Sequence, residues 1–137
     1  ASLSNIAPRL RMTTLYAIAQ SRGALVAGTG NKCERYMGYF TKWGDGACDF
    51  NPIADLTVTE IYEFLTYLKA PENIIRKAPS AGLFEGQTDE AEMGVTYDEI
   101  EMYMETSSCG SDNDARIHRA HAVTEHKRRM PLVYIDD

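Results

Sequence analysis

A glycine-rich turn lies directly before a carboxylate in the segment GTGNKCE, residues 28–34. Thr29 offers a hydroxyl that can meet a phosphate or the edge of an adenine, and Glu34 offers the oxygen ligands that Mg2+ prefers. The local alternative is that Thr29 caps the next helix and Glu34 complements the dipole of that helix. Spacing alone leaves both interpretations open, because short glycine-rich turns are common.

A second group of charged residues lies in a loop with two glycines, Gly44 and Gly46. Lys42 can act there as a point charge, and the carboxylates of Asp45 and Asp49 can accept hydrogen bonds from hydroxyl or amide groups. The glycines allow the backbone to approach a ligand closely. The loop is therefore either a polar binding segment or a solvated surface loop.

A basic segment lies near the end of the chain, although the formal net charge is −6. That charge argues against general nucleic-acid binding, which draws its affinity from Lys and Arg at phosphates. An anionic ligand therefore has to meet a local basic patch. Residues 116–129 supply one, with five Lys or Arg and three His against Glu125 alone. The alternative is a basic helix end that complements its own dipole.

These groups need a scaffold, and the pattern of apolar residues, caps and turns indicates an α/β domain over residues 1–137. Helices are predicted over residues 8–21, 32–40, 57–70, 71–77, 96–104 and 114–127, and capping boxes of Thr57 with Glu60 and of Thr96 with Glu99 are predicted at the starts of two of them. Residues 24–27 are predicted to form a short buried strand. A strand followed by a glycine-rich turn and a helix places backbone N–H groups where α/β sheets bind nucleotides.

Two of the predicted helices carry an apolar stripe. In the helix 8–21 the stripe consists of Leu10, Leu15, Ile18 and Ala19, and in the helix 57–70 the predicted core positions are Ile61, Phe64, Leu65 and Leu68. Two polar stretches connect the helices: residues 78–90 are predicted to be a loop and residues 107–114 a linker.

Several protein classes are excluded by composition. No apolar run approaches the roughly 20 residues that span a bilayer, so no membrane role is expected. Three widely spaced cysteines without nearby histidines at zinc-ligand spacing indicate reduced thiols rather than a disulfide framework or a zinc site. The first residues lack the features of a signal peptide, and a cytoplasmic location is expected.

Five separated motifs, in order and covering nearly the whole chain, closely resemble the NAD synthetase family. They are PRLRM at 8–12, GTGNKCE at 28–34, GYFTKWGDGACDFNP at 38–52, KAPSAGL at 77–83 with EGQTDE at 85–90, and TEHKRR at 124–129. Agreement at five places is far more specific than one glycine motif.

The resemblance implies a fold, an activity and a partner. The fold would be a Rossmann-like parallel sheet flanked by helices, of the adenine nucleotide alpha-hydrolase-like group and incomplete in this chain, usually in a homodimer. The activity would be amidation of deamido-NAD to NAD with ATP, Mg2+ and ammonia through an adenylated intermediate, releasing AMP and diphosphate. A carboxylate needs such activation, and Mg2+ with cationic side chains would offset charge on the phosphates.

The resemblance also carries roles to particular positions. Deamido-NAD would be bound by Arg9, Lys42, Asp49, His126 and Lys127, ATP by Thr29 and Ser80, and Mg2+ by Glu34. No catalytic residue is implied.

Two departures from the family pattern limit what the chain is expected to do. Val58 stands where the family commonly has a lysine that contacts ATP, and the Ser-Gly-Gly-x-Asp-Ser phosphate loop is absent from these residues. We therefore expect a C-terminal portion of the synthetase that is inactive without an N-terminal half. Two alternatives stay open: the synthetase domain of a glutamine-dependent enzyme, or a non-catalytic dinucleotide-binding module, which Val58 favours. The end of the chain soon after residues 126–127 favours the ammonia type.

Overall fold

A computed structural model describes residues 3–82 and 86–134, and these residues are mainly helical. They form a short 3-10 turn, Leu3–Asn5, and the helices α1 Ile6–Arg22, α2 Lys32–Met37, α3 Val58–Tyr67, α4 Glu72–Ile75, α5 Asp89–Met93, α6 Tyr97–Thr106, α7 Asp114–Val123 and α8 Glu125–Arg128. None of the helices in the described ranges is long and apolar enough to cross a membrane. Residues 83–85, in the middle of the predicted polar loop 78–90, lie outside the described residues.

The predicted strand at residues 24–27 is present only as an isolated parallel bridge between Ala27 and Phe50. Gly28 N–H donates to Phe50 O at 2.7 Å, and Asp49 N–H donates to Val26 O at 2.9 Å. The described ranges contain no strand longer than this bridge, so the fuller parallel sheet remains a prediction. Two hydrogen bonds along one edge cannot hold a strand that has no further neighbour.

Burial of the predicted strand is also only partly right. Val26 is buried, whereas Leu25 is 71% exposed. A strand of a parallel sheet is normally covered on both faces, and the exposed Leu25 shows that the described residues leave one face of this segment uncovered.

Capping residues were predicted well where the spacing was regular. Thr57 with Glu60 forms a complete capping box at the start of α3, and Thr96 with Glu99 forms another at the start of α6. In each box the threonine hydroxyl accepts from the third backbone N–H while the glutamate accepts from the threonine N–H. These two predictions are confirmed.

Two predicted helix lengths are wrong, and both errors meet at one contact. The predicted helix 32–40 ends at Met37, because Gly38 adopts a left-handed φ of 67°. A Cβ on Gly38 would lie 2.2 Å from the Cβ of Thr124. The predicted helix 114–127 divides at that same threonine, whose hydroxyl donates to Ala120 O at 2.7 Å. A threonine that bonds back to the preceding turn bends or interrupts a helix.

A five-residue helix was missed, because it is too short to show periodicity. Thr88 caps α5 by accepting from Ala91 N–H at 3.3 Å, and Gly94 ends the helix with a φ of 70°. The helix begins inside the segment predicted to be a polar loop.

The core lies between α2, α5, α6 and α7 and the start of α3. Its buried members are Cys33, Met37, Val58, Met93, Val95, Tyr97, Ile100, Cys109 and Ile117. The stripes of α1 and α3 lie elsewhere, and the core prediction for α3 is wrong: Phe64 and Leu68 are 46% and 56% exposed, and Ile61 and Leu65 are only partly buried. On α1, Ala19 is buried, but the three larger residues of the stripe are about half exposed or more.

Candidate functional site

A cleft of about 1010 Å3 lies beside α2. The turn at residues 28–31, the loop 38–51, the segment 79–81 and the side of α8 contribute to its walls. Of the eight residues predicted from the resemblance, five line this cleft: Thr29, Glu34, Asp49, Ser80 and Lys127. The other three, Arg9, Lys42 and His126, form a hydrogen-bonded group beside it.

The N-terminus of α2 is held by a capping box that does not involve Thr29. Asn31 Oδ1 accepts from Glu34 N–H at 2.8 Å, and Glu34 Oε2 accepts from Asn31 N–H at 2.7 Å. Asn51 Nδ2 donates to Gly30 O at 2.9 Å and so fixes the turn. The local interpretation of Thr29 as the helix cap is therefore wrong. Its exposed side chain makes no hydrogen bond to the part of the chain that the structure describes, which leaves the hydroxyl available to a ligand.

Glu34 lies in an environment that favours a cation. Burial raises the pKa of its carboxyl to about 7, against the opposing hydrogen bond from Asn31, and the negative charges of Asp89 and Asp45 add to the rise. A bound cation would offset both the burial and the repulsion. The described residues contain no cluster of three His, Cys, Asp or Glu side chains that could hold a metal ion.

Ser80 sits in a turn that is held by a residue sequence reasoning missed. Asp89 is buried, its Oδ1 accepts from Ala81 N–H at 3.1 Å, and its Oδ2 accepts from Tyr97 Oη at 2.9 Å. Asp89 N–H also donates to Pro79 O at 3.1 Å. Ser80 Oγ accepts locally from a backbone N–H at 3.1 Å while its hydroxyl proton stays free to donate. The available signal was the acidic residue directly after the capping Thr88.

On the basic side, three predicted residues are brought together by bonds from cations to carbonyls. Arg9 donates to Lys42 O through Nε at 3.4 Å and Nη2 at 3.3 Å, and Lys42 Nζ donates to His126 O at 2.5 Å. Lys42 Nζ also lies 5.4 Å from the ring centroid of Trp43. The N-terminal helix, the glycine loop and the last helix therefore meet at one place.

Lys127 donates to Gly38 O and to Phe40 O, both at 2.7 Å, and lies 5.3 Å from the Phe40 ring centroid. Burial lowers the pKa of its ammonium, as does the charge of Arg128, while Asp45 opposes the shift. Two of the three ammonium donors are thus used inside the chain. The third can meet an anionic ligand in the cleft.

The two aspartates of the glycine loop fix the loop itself. Asp49 Oδ2 accepts from Val26 N–H at 2.7 Å, its Oδ1 lies 3.5 Å from Tyr16 Oη, and Asp45 Oδ1 accepts from Thr41 N–H at 3.0 Å. Hydrogen bonds to backbone N–H groups give these carboxylates a structural task. Both still line the cleft, so a ligand contact is compatible with that task.

Val58 is only 8% exposed and packs in the core with Cys33. It is not among the residues that line the cleft in the described ranges. The position that the resemblance associates with an ATP-binding lysine therefore contributes packing here and no charge.

Comparison with known protein families gives one consistent result. The family model described as NAD synthase matches residues 1–131. The chain is 54% identical over 132 residues to the NH(3)-dependent NAD(+) synthetase of Carboxydothermus hydrogenoformans, covering 96% of this chain and 54% of that protein. The enzyme of the same description from Archaeoglobus fulgidus is 47% identical over 134 residues, with 95% and 54% covered. The chain thus spans about half the length of the curated relatives it matches.

Solved structures show the same fold. The chain matches the NMN synthetase from Francisella tularensis with a TM-score of 0.91 and 48% identity, covering 96% of this chain and 55% of that one. It matches the NH3-dependent NAD synthetase from Campylobacter jejuni, solved with a nitrate ion, with a TM-score of 0.74 and 34% identity, covering 98% and 55%. The sequence motifs, the cleft and these matches agree, and the chain belongs to the NAD synthase family.

Proposed function

We propose that this chain supplies the dinucleotide side of an NH3-dependent NAD+ synthetase, which amidates deamido-NAD to NAD with ATP and ammonia. The observation that carries the proposal is one cleft lined by the hydroxyls of Thr29 and Ser80, the carboxylate of Glu34 and the ammonium of Lys127. The 54% identity to a curated NH3-dependent synthetase supports the same activity.

Amidation requires that the carboxylate first acquire a good leaving group, which ammonia can then displace. ATP would adenylate the nicotinate carboxylate with release of diphosphate, and ammonia would then displace AMP to leave the amide. In this chain the hydroxyls of Thr29 and Ser80 would orient ATP. The free donor of Lys127, with Arg9, Lys42, Asp49 and His126, would bind deamido-NAD.

Glu34 fits the role of one Mg2+ ligand, because burial and like-charged neighbours destabilise its ionised carboxylate and a bound cation would offset that destabilisation. A bound Mg2+ would supply charge stabilisation at the phosphates during nucleotidyl transfer. The absence of a three-ligand cluster in the described ranges means that other ligands would come from ATP or from the rest of the protein.

The remainder of the protein is part of the proposal. The residues of this chain contain no Ser-Gly-Gly-x-Asp-Ser phosphate loop, and the chain spans about half of its relatives. We expect the phosphate loop in an N-terminal half and expect the 137-residue chain to be inactive by itself. A homodimer is expected for the complete enzyme.

A second acceptor is favoured by one observation, the TM-score of 0.91 with the NMN synthetase from Francisella tularensis. The corresponding reaction here would be the same amidation on nicotinic acid mononucleotide. Both reactions use one carboxylate chemistry, so the nucleotide part of the acceptor is what separates them.

The test is an assay of the complete synthetase, with the phosphate-loop half supplied in cis or in trans and the 137-residue chain alone as control. Deamido-NAD and nicotinic acid mononucleotide are offered separately with ATP, Mg2+ and either ammonium or glutamine. We expect NAD from deamido-NAD with ammonium, and AMP and diphosphate in equal amounts. Preference for the mononucleotide selects the second acceptor, and use of glutamine selects a glutamine-dependent enzyme. Dinucleotide binding without turnover or ATP dependence selects the non-catalytic module and refutes the proposal.

A further inference from the structure

Arg128 lies in the basic segment next to Lys127, and no role predicted from the sequence accounts for its burial and its hydrogen bonds. Its side chain is only 12% exposed, whereas that of the neighbouring Arg129 is 72% exposed. Both arginines pair with Glu125, at 3.0 Å and 2.6 Å respectively. Burial of a guanidinium is costly unless its donors are satisfied, so the burial of Arg128 has to be explained by its partners.

The guanidinium of Arg128 caps the C-terminus of α2 from outside that helix. Its Nη1 donates to Tyr36 O at 3.1 Å and to Arg35 O at 3.3 Å, two carbonyls in the last turn of that helix. It shares them with weaker or neighbouring donors, since Gly38 N–H lies 3.3 Å from Arg35 O and His121 Nδ1 lies 2.9 Å from Tyr36 O. A cation at a helix C-terminus also complements the macrodipole. The basic segment therefore serves α2 rather than only its own helix.

The same guanidinium fixes the break between α7 and α8. Nη1 donates to Thr124 Oγ1 at 2.9 Å, and Nη2 donates to His121 O and to Glu125 Oε2. Thr124 in turn packs against Gly38 so closely that no side chain fits there. Arg128 thus binds the end of α2 and the start of α8 with one planar group.

The residues held by this contact are those that shape the basic side of the cleft. Lys127, the residue before Arg128, donates to Gly38 O and Phe40 O, and Lys42 reaches His126 O from the other side. Gly38, Phe40 and Lys127 all line the cleft. The direction in which the Lys127 ammonium points therefore depends on how α8 is seated on α2.

We propose that Arg128 is a positioning residue for dinucleotide binding. Its guanidinium makes hydrogen bonds both to the C-terminal carbonyls of α2 and to the start of α8, and it thereby orients the ammonium of Lys127 toward the cleft. This inference rests on the function proposed above, in which Lys127 binds deamido-NAD. Arg128 also lines the cleft, but in the described residues it makes no hydrogen bond to Thr29 or Ser80 of the ATP side, so we expect the effect mainly on the dinucleotide.

The experiment uses the complete synthetase with Arg128→Gln, Arg128→Lys and the matched control Arg129→Gln. Arg128→Gln is expected to raise KM for deamido-NAD about tenfold or more, with kcat and KM for ATP within about threefold of wild type. Arg129→Gln is expected to leave all three values unchanged, because the side chain of Arg129 is 72% exposed and its hydrogen bond in the described residues is to Glu125 and not to α2. Amide hydrogen exchange is measured in the same proteins, and faster exchange is expected over residues 36–41 in Arg128→Gln alone.

Arg128→Lys separates position from charge. A lysine keeps the charge but cannot span both helices as a planar fork does, so we expect it to remain impaired. Full recovery of the deamido-NAD KM by lysine would overturn the inference in favour of simple charge attraction. An unchanged KM in Arg128→Gln, or an equal rise in both KM values, would overturn it as well.

If Arg128→Gln does not fold, Glu125→Gln provides a milder test, because it removes the charge that pairs with both Arg128 and Arg129 and leaves the Arg128 donors to α2 intact. We expect a smaller rise in the deamido-NAD KM in the same direction, and no rise would overturn the inference.

Calorimetry of the wild-type protein with deamido-NAD is done first. Absence of binding there refutes the proposed function, and the inference falls with it, whereas wild-type binding with unaltered variants refutes the inference alone.

Discussion

The cleft side of the molecule and the outer faces of α1 and α3 differ in how their apolar and charged residues are satisfied. In the core against α2, which borders the cleft, Ile100 and Ile117 are completely buried, and the guanidinium of Arg128 donates to carbonyls of α2. On the outer side, Leu15 and Phe64 are 53% and 46% exposed although they lie on equally regular stripes. Helical periodicity therefore identifies an apolar face but not what covers it.

The exposed stripes need a cover, because a soluble monomer seldom leaves contiguous apolar helix faces open to water. The chain spans about half of its curated relatives, so the rest of the protein or a second copy is available to provide it.

The largest effect is expected on the cleft side, at Glu34. Glu34→Gln keeps an oxygen that can accept from Asn31 N–H, so α2 stays capped, but it removes the charge that would bind Mg2+. Turnover of the complete enzyme is expected to fall by about a thousandfold or more, since loss of an electrostatic contact at the reacting phosphates costs roughly 3–4 kcal/mol.

Deamido-NAD binding by Glu34→Gln, measured by calorimetry, is expected to change by less than about threefold, a threshold well inside the factor of ten that 1.4 kcal/mol represents. Glu63→Gln, on the exposed face of α3, serves as a control of equal chemistry. Unchanged turnover of Glu34→Gln at saturating Mg2+ would remove the metal role from this residue.

A core substitution compares packing on the two sides of one helix. Ile100 and Met102 both lie on α6, but Ile100 is fully buried and Met102 is 51% exposed. Ile100→Ala is expected to lower the free energy of unfolding by about 2–5 kcal/mol through lost burial and a cavity. Met102→Ala is expected to cost less than about 0.5 kcal/mol. Urea unfolding monitored by circular dichroism provides both values, and similar costs would show that the cluster around Ile100 is not a rigid core.

Local patterns predicted local features of the fold. The capping boxes that begin at Thr57 and Thr96 are where the spacing placed them, because each depends on four consecutive residues. The end of α2 could not be predicted, since Gly38 is shaped by Thr124, 86 positions later in the sequence. The short α5 has no periodicity to detect.

The candidate site shows the same limit. The resemblance named Lys127, and the structure places it in the cleft, but the partners that fix it are the backbone carbonyls of Gly38 and Phe40. Backbone carbonyls carry no sequence signal, because every residue has one. Buried Asp89 likewise lies in the segment 85–90 that resembles the family, yet its hydrogen bond from Tyr97 depends on how α5 meets α6.

The electrostatic strain at Glu34 should appear as a dependence of stability on pH. Because the folded-state pKa is raised to about 7, the folded protein binds the proton more tightly than the unfolded chain. The favourable contribution is therefore complete below the ordinary glutamate pKa of about 4.5 and is lost as pH rises to about 7.

Unfolding free energies of wild type and Glu34→Gln at pH 5 and pH 8 measure this contribution. We expect the wild type to lose about 1–2 kcal/mol more than the variant over that range. The subtraction removes the titration of other groups that both proteins share. An equal loss in both proteins would mean that Glu34 is not strained, and the best indication of a cation at this end of the cleft would be gone.

The smallest effect is expected on the outer side, and its size is what makes it informative. Leu15 lies on the exposed stripe of α1. Leu15→Ser should change the unfolding free energy of the 137-residue chain by less than about 0.5 kcal/mol, because little apolar area is lost there. In the complete protein the same substitution should cost about 1–3 kcal/mol or weaken self-association, since burying a leucine contributes about that much. Unfolding and sedimentation of the 137-residue chain and of the complete protein distinguish the outcomes. A small effect in both would mean that the stripe stays open to water. A large effect in the 137-residue chain would mean that α1 is covered without the rest of the protein.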